Sequence, residues 1–144
     1  MPLTRRELCK LFGAAMIVQA PTPQKTPPQP LGSNSYDFSQ LPVRSSNGAQ
    51  FRDIFKGKSA TGELIEVHES TLPPGGAPHP PHHHVHSEMW LVREGTLEFT
   101  VNGKTGQLRP GSVGFASSNE EHGVKNPGGT PVTYFVVAVG PGAA

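Results

Sequence analysis

The sequence predicts an all-β chain that folds as a single-domain antiparallel β-sandwich or barrel. Three observations lead to this prediction. The 144 residues include 17 glycines and 16 prolines, a composition that indicates frequent turns. Several segments alternate apolar and polar residues with the period of a half-buried strand, and no long stretch has the 3.6-residue period of a helix. The length suits one domain.

The first element, residues 1–20, is set apart from the fold. It resembles a twin-arginine export signal, and the residues that carry the resemblance are Thr4, Arg5, Arg6, Leu8 and Lys10. The apolar run behind them is shorter than the roughly 20 residues of an ordinary transmembrane helix. The alternative is an amphipathic N-terminal helix. A cleavage site would end at Ala20, but Pro21 should hinder cleavage there. We therefore expect a periplasmic or exported protein, either released or tethered to the inner membrane by an uncleaved signal.

The second element, residues 21–50, is rich in Pro, Gln and Ser and is predicted to be a linker or arm. Tyr36, Phe38 and Leu41 are apolar exceptions that would dock either on the barrel or on a second subunit. The second possibility makes a homodimer an expectation. A disordered leader with incidental aromatic residues is the alternative. Residues 51–144 are assigned to the barrel domain.

Alternation then predicts the strands of the domain. Residues 62–68 and 97–102 alternate apolar and polar side chains, and Asn102-Gly103 is a type I′ hairpin signal after the second of them. Residues 130–139 are apolar on both faces, as expected for a strand buried between two sheets.

Metal-ligating residue types are concentrated between two of these strands. His82, His84 and Glu88 lie within seven residues, and His122 follows in a later glycine-containing segment. Three neutral imidazoles and one carboxylate suit a first-row divalent transition metal. Zn, Ni and Cu are compatible with these donors, but Mn or Fe is favoured, because export of a folded protein would load the metal in the cytoplasm, away from the tighter-binding Cu and Zn.

These residues resemble the two motifs of the cupin superfamily. The first motif, G-x5-H-x-H-x3-4-E-x6-G, is matched at Gly76, His82, His84, Glu88 and Gly95. The second, G-x5-P-x-G-x2-H-x3-N, is matched at Gly111, His122 and Asn126. It departs at Ser117, where the motif has proline, and at Asn119, where it has glycine. Asn119 can serve there because asparagine tolerates positive φ. The resemblance covers residues 60–140 and implies a jelly-roll barrel whose metal ligands are His82, His84, Glu88 and His122.

The other histidines need separate interpretation. His86 would share a strand face with His84 and Glu88, which makes it a rival of His122. The resemblance implies a turn before the glutamate, so His86 should swing away from the metal. His79 and His83 are predicted at the rim or surface. His68 lies on the strand face opposite Ile65 and Val67 and is predicted to be a surface or packing residue.

Four protein ligands leave one or two metal positions open for water, O₂ or a chelating substrate. Trp90, Phe99 and Phe115 are candidates for an apolar wall around the metal, with core packing as the alternative. The resemblance implies a metal-dependent oxidoreductase, dioxygenase-like or oxidase-like, that acts on a small oxygen-rich organic molecule. The alternatives are a non-catalytic metal- or ligand-binding cupin, which senses or sequesters a small molecule, and a sugar isomerase or lyase. The fold does not choose the reaction.

Charge and cysteine content limit the kinds of partner that the sequence predicts. The chain has 12 basic and 11 acidic residues and no basic patch in sequence, which disfavours nucleic-acid binding. The single cysteine, Cys9, lies in the predicted signal, so the remainder of the chain has no disulfide to form. A small-molecule ligand is the expected partner.

Overall fold

The computed structural model describes residues 30–143, which fold into two antiparallel sheets packed face to face. This arrangement confirms the predicted all-β, single-domain sandwich. The strands are β1 Arg44–Ser46, β2 Ala49–Lys58, β3 Leu64–Leu72, β4 Ser87–Glu94, β5 Leu97–Val101, β6 Lys104–Leu108, β7 Val113–Ala116, β8 His122–Lys125 and β9 Val132–Val139.

The larger sheet has six strands in the order β1-β2-β3-β9-β4-β7, and the smaller has the order β6-β5-β8. Strand β9 is therefore central, between β3 and β4. Its side chains at Val132, Tyr134 and Val136 are buried between the sheets, and Phe135 and Val137 on its other face are half-buried. Burial on both sides explains why this strand is apolar at almost every position.

Two-residue asparagine-glycine turns close two hairpins. Asn102 and Gly103 have φ of 48° and 74° and join β5 to β6, as the sequence predicted. Asn47 and Gly48, with φ of 49° and 80°, join β1 to β2 in the same way. The six-stranded sheet thus begins ahead of residue 51, inside the segment interpreted as linker or arm.

The chain before β1 lies on the outer face of the six-stranded sheet. Tyr36 stacks on Phe55 of β2 with ring centroids 5.4 Å apart. Phe38, in a short 3₁₀ helix (Phe38–Gln40), lies 4.5 Å and 5.0 Å from the guanidinium carbons of Arg52 and Arg93. Of the two docking surfaces considered from sequence, this arm contacts the barrel of its own chain.

A buried carboxylate lies beneath this arm. Glu69 of β3 is only 1 % exposed, and its Oε1 accepts a 2.9 Å hydrogen bond from Arg93. Arg52 Nη1 lies 3.6 Å from its other oxygen. Two arginines capped by Phe38 therefore compensate one buried charge, as burial of an ionised group requires.

Within residues 30–143, no helix has the length and hydrophobicity required to cross a membrane. The predicted export signal, residues 1–20, lies outside the described residues.

Candidate metal centre

A backbone bridge brings the two histidine motifs together. His82 donates its N–H to the carbonyl of His122 at 3.0 Å, and His122 donates to the carbonyl of His82 at 2.8 Å. This double hydrogen bond lies next to β5, where Val101 pairs with His122. The ligand-bearing loop before β4 is thereby joined edge-on to the three-stranded sheet.

The turn before β8 also depends on backbone contacts. Asn119 has a φ of 62°, as predicted for an asparagine that replaces the motif glycine, and its N–H donates to the carbonyl of His84 at 2.8 Å. The turn therefore holds both its own histidine and the facing loop. Ser117, which stands in place of the motif proline, donates its backbone N–H to the Glu120 carboxylate at 3.1 Å.

Asn126 anchors the other end of the ligand loop. Its buried side-chain amide donates to the carbonyls of Leu72, Pro73 and Thr130 at 3.1, 3.0 and 2.8 Å. Its backbone N–H donates to the carbonyl of Gly76 at 2.8 Å. The last residue of the second motif thus fixes the start of the first.

Two of the three predicted histidine ligands lie beside the fourth ligand, Glu88. Its Oε2 lies 3.5 Å from His84 Nε2 and 3.4 Å from His122 Nε2. His82, His84 and His122 offer nitrogens within 4.8 Å of one another, a spacing that suits a shared ion. The structure therefore brings together all four residues that the sequence singled out.

Hydrogen bonds orient two of the imidazoles. His84 Nδ1 contacts the carbonyl of His86 at 2.9 Å, and His122 Nδ1 contacts the carbonyl of Glu120 at 2.8 Å. A carbonyl can only accept, so both rings carry their proton on Nδ1 and present the Nε2 lone pair to the cluster. This is the outer-shell arrangement that metal-ligating histidines require.

The cluster fits a metal by a second test. Among residues 30–143, four buried side-chain N or O atoms lack a hydrogen-bond partner, and three of these are His82 Nδ1, His84 Nε2 and His122 Nε2. Buried polar atoms are normally satisfied, and a group of orphaned nitrogens at one point indicates an ion that would satisfy them. Burial, together with the neighbouring His79 and His122, lowers the pKa of His82, which keeps it in the neutral form that binds metal.

His86 stays at the cluster, so the expectation that it swings away was wrong. The chain does bend at residues 85–86, but the ring stacks on His84 with centroids 3.5 Å apart. His86 Nε2 lies 3.5 Å from Glu88 Oε1, the carboxylate oxygen opposite the one that faces His84 and His122. His84, His86 and Glu88 form a second group with metal-binding spacing. His86 is placed either to orient the Glu88 carboxylate or to replace one ligand.

His79 and His83 are exposed, as predicted for rim or surface residues. The His79 ring nevertheless meets the edge of His82 at a centroid distance of 4.2 Å.

The aromatic residues divide into two groups. Trp90 is 3 % exposed, and its ring lies 5.2 Å from His122 and 5.0 Å from Phe99. Trp90 and Phe99 thus form an apolar wall behind the cluster. Phe115 is 55 % exposed on the outer face of β7, so its interpretation as a wall or core residue was wrong. Its neighbour Gly114 faces inward instead, where an added Cβ would lie 3.2 Å from Phe99.

A cavity of about 180 Å³ adjoins the cluster between the two sheets. Glu88 is the cluster residue that lines it, beside Trp90 and Val136. The wall also carries the polar residues His68, Ser70 and Tyr134, which sequence reasoning did not assign to the site. His68 shares its face with buried Val136, its partner on β9. It therefore points into the barrel and not to the surface.

Part of the chain, including all of these residues, is similar to known proteins. Residues 68–138 match the family model described as "Cupin domain". A mannose-1-phosphate guanylyltransferase from Klebsiella pneumoniae is 35 % identical over 76 residues, 53 % of this chain. The chain spans only 16 % of the length of that relative.

Two solved structures show the same fold. An RmlC-like cupin from Shewanella frigidimarina aligns with a TM-score of 0.62 and 20 % identity, covering 74 % of this chain and 91 % of that one. A predicted oxalate decarboxylase from Thermotoga maritima aligns with the same TM-score and identity, covering 74 % of this chain and 98 % of that one.

Proposed function

We propose that this chain, whose residues 68–138 match the cupin domain family, is a metal-dependent oxidoreductase acting on a small oxygen-rich organic molecule. The observation that carries the proposal is the double position of Glu88, which belongs to the histidine cluster and also lines the interior cavity. An ion held by His82, His84, Glu88 and His122 would therefore face a space that admits a small molecule.

The metal would supply an open coordination position and a net positive charge that polarises a bound oxygen atom. The protein residues would orient the ligands, exclude water and balance the charge. The carbonyl-bound imidazoles hold their lone pairs in place, Trp90 and Phe99 exclude water from one side, and Glu88 offsets part of the charge. Three imidazoles with one carboxylate are compatible with Mn or Fe, the metals we propose for redox chemistry with O₂.

One observation favours a second candidate, a lyase or isomerase without O₂. His68 and Tyr134 line the cavity wall beyond Glu88, and both side chains can transfer or donate a proton. Isomerisation and elimination proceed by proton transfer to and from the substrate, which such a pair could carry out.

Metal analysis of the purified protein is the first experiment, followed by oxygen-electrode assays with short dicarboxylates, catechol and a flavonol. Substrate-dependent O₂ uptake supports the oxidoreductase. Product formation under strict anaerobiosis supports the second candidate. Tight binding with turnover under neither condition would indicate a non-catalytic binding cupin, and the absence of stoichiometric metal would overturn the proposed metal centre.

We further propose export through the twin-arginine route. Folded export would mean that the metal is loaded in the cytoplasm, away from the Cu²⁺ and Zn²⁺ that bind such donors more tightly than Mn²⁺ or Fe²⁺. A reporter fusion in which Arg5→Lys and Arg6→Lys are combined should remain in the cytoplasm while the unchanged fusion reaches the periplasm. Export of the double variant would disprove the signal. Cu or Zn in the exported wild type would disprove the reasoning on metal choice alone.

A further inference from the structure

We infer that Ser70 and Tyr134, with His68 beside them, form the substrate-recognition wall of the cavity and select a short-chain carboxylic acid with a second oxygen group at its far end. The inference rests on the proposed metal centre, because the ion would hold the near end of such a ligand.

The wall is built by direct strand pairing. Ser70 of β3 lies opposite Tyr134 of β9. Two residues away along the same strands, His68 lies opposite Val136. Inward positions alternate along a strand, so His68 and Ser70 point to the same side. Ser70 and Tyr134 are 2 % and 1 % exposed, yet both line the cavity. Both side chains thus lie inside the barrel and are shielded from bulk solvent.

The hydroxyl groups have donor capacity to spare. Burial, and the Glu88 carboxylate beyond it, raise the pKa of Tyr134, while a hydrogen bond with Ser70 lowers it by less, so the phenol keeps its proton. Each hydroxyl carries one proton, so even when one of them donates to the other, one proton is left for a ligand oxygen. His68 Nδ1 is 3.3 Å from Glu66 Oε1, a contact that orients the imidazole beside them.

Charge and size define the ligand. A divalent ion with the single negative charge of Glu88 keeps a net positive charge, which favours an anionic chelating group. Glu88 and His79 line the cavity on the side of the histidine cluster, and the other lining residues, including Phe51, Trp90 and Val136, are apolar. The far end of the ligand therefore finds its polar partners at Ser70, Tyr134 and His68. The cavity of about 180 Å³ is smaller than the roughly 300–1,000 Å³ of pockets for drug-sized ligands, and this favours a short-chain ligand over one as large as a flavonol.

The test compares malonate with propionate, which replaces one carboxylate by a methyl group. Both are titrated calorimetrically into metal-loaded wild type and into Tyr134→Phe and Ser70→Ala, each with its metal content measured. We expect malonate to bind wild type and to lose about tenfold or more in affinity in either variant, because a hydrogen bond to a charged group is lost. Propionate affinity should not change, since its far end makes no such bond.

Thr71→Val is the matched control. Thr71 follows Ser70 on β3, faces the other side of the sheet and contacts the Thr133 hydroxyl at 3.0 Å. It should bind malonate like wild type, whereas a loss equal to that of Ser70→Ala would show that the effect is structural. Metal-loaded wild type that binds no malonate, or variants that bind it unchanged, would overturn the inference. Wild type without metal would instead overturn the metal centre on which it rests.

Discussion

At the scale of single residues, His84 and His83 are a matched pair of neighbouring histidines. The Nε2 of His84 is buried, lacks a hydrogen-bond partner and lies 3.5 Å from Glu88, whereas the side chain of His83 is exposed. We expect His84→Ala to lose most of the bound metal because a ligand is removed, and His83→Ala to retain it. Elemental analysis of the purified variants measures this directly. Equal metal content in the two would mean that the ion is bound elsewhere.

His86→Ala addresses the residue that remained at the cluster against expectation. If His86 only orients Glu88, metal affinity should fall by about 10–100-fold, as for other groups that hold a ligand in place. Competition with a chelator of known affinity gives the value. A complete loss of metal, like that expected for His84→Ala, would instead show that His86 is a ligand.

Tyr134 gives the protein a predictable response to alkali. Its folded pKa is raised above the ordinary value of 10.0, chiefly by burial. Stability from the buried phenol is therefore fully present below pH 10 and is lost as the pH rises further, because the unfolded chain then releases a proton that the folded chain keeps. Urea midpoints should fall above about pH 10 in wild type and fall less steeply in Tyr134→Phe. Parallel slopes for the two proteins would contradict this reasoning.

Residue identity alone predicted part of the site. Asn119 could be assigned a positive φ because few side chains tolerate it, and the four ligands stand in recognisable motifs. His68 and Ser70 could not be placed, since alternation tells which residues share a face but not which face is inside. Here the apolar residues Ile65 and Val67 face outward, where the arm and neighbouring strands half-cover them. Tyr134 went unnoticed among the apolar residues of β9.

At the scale of elements, the turn after β4 depends on the absence of a side chain at Gly95. This residue has a φ of 80°, and an added Cβ would lie 2.7 Å from the carbonyl oxygen of Pro131 and 2.9 Å from Val132 Cα. Gly103 has a similar φ of 74°, but there an added Cβ meets no non-neighbouring atom of the described chain within 4 Å.

Substituting the two glycines therefore distinguishes the cost of backbone strain, which both share, from the cost of a steric clash, which only Gly95 has. Gly103→Ala should lower the free energy of unfolding by about 1–2 kcal/mol through strain alone. Gly95→Ala should cost a further 1–3 kcal/mol or so, because the β9 backbone must move. Urea denaturation of both variants tests the difference, and equal losses would show that the strands separate easily.

Elements were predictable where their signal is local. The hairpin at Asn102-Gly103 is fixed by two residues, and β9 by its unbroken apolar run. The equivalent turn at Asn47-Gly48 was overlooked because its surroundings are polar and proline-rich, and β1 is exposed along its length. What holds β1 in place is pairing with β2, a tertiary effect that a local pattern does not contain.

At the scale of the whole molecule, two packed sheets supply a core that does not need an ion. Leu72, Leu97 and Val132 are almost fully buried between them, and none of the three belongs to the histidine cluster. Chelation should lower the melting temperature, because an ion bound only to the folded state stabilises it. Far-ultraviolet circular dichroism should still report β-structure below the new midpoint. An unfolded spectrum after chelation at room temperature would refute this.

The backbone bridge between His82 and His122 has a kinetic consequence. The two residues are far apart in sequence, so their double hydrogen bond closes a long loop, and the cluster is complete only after both sheets have assembled. Interactions that form after the transition state slow unfolding without accelerating folding. An ion bound at this cluster would therefore lower the unfolding rate of the barrel. Its release would raise the unfolding rate and leave the refolding rate almost unchanged.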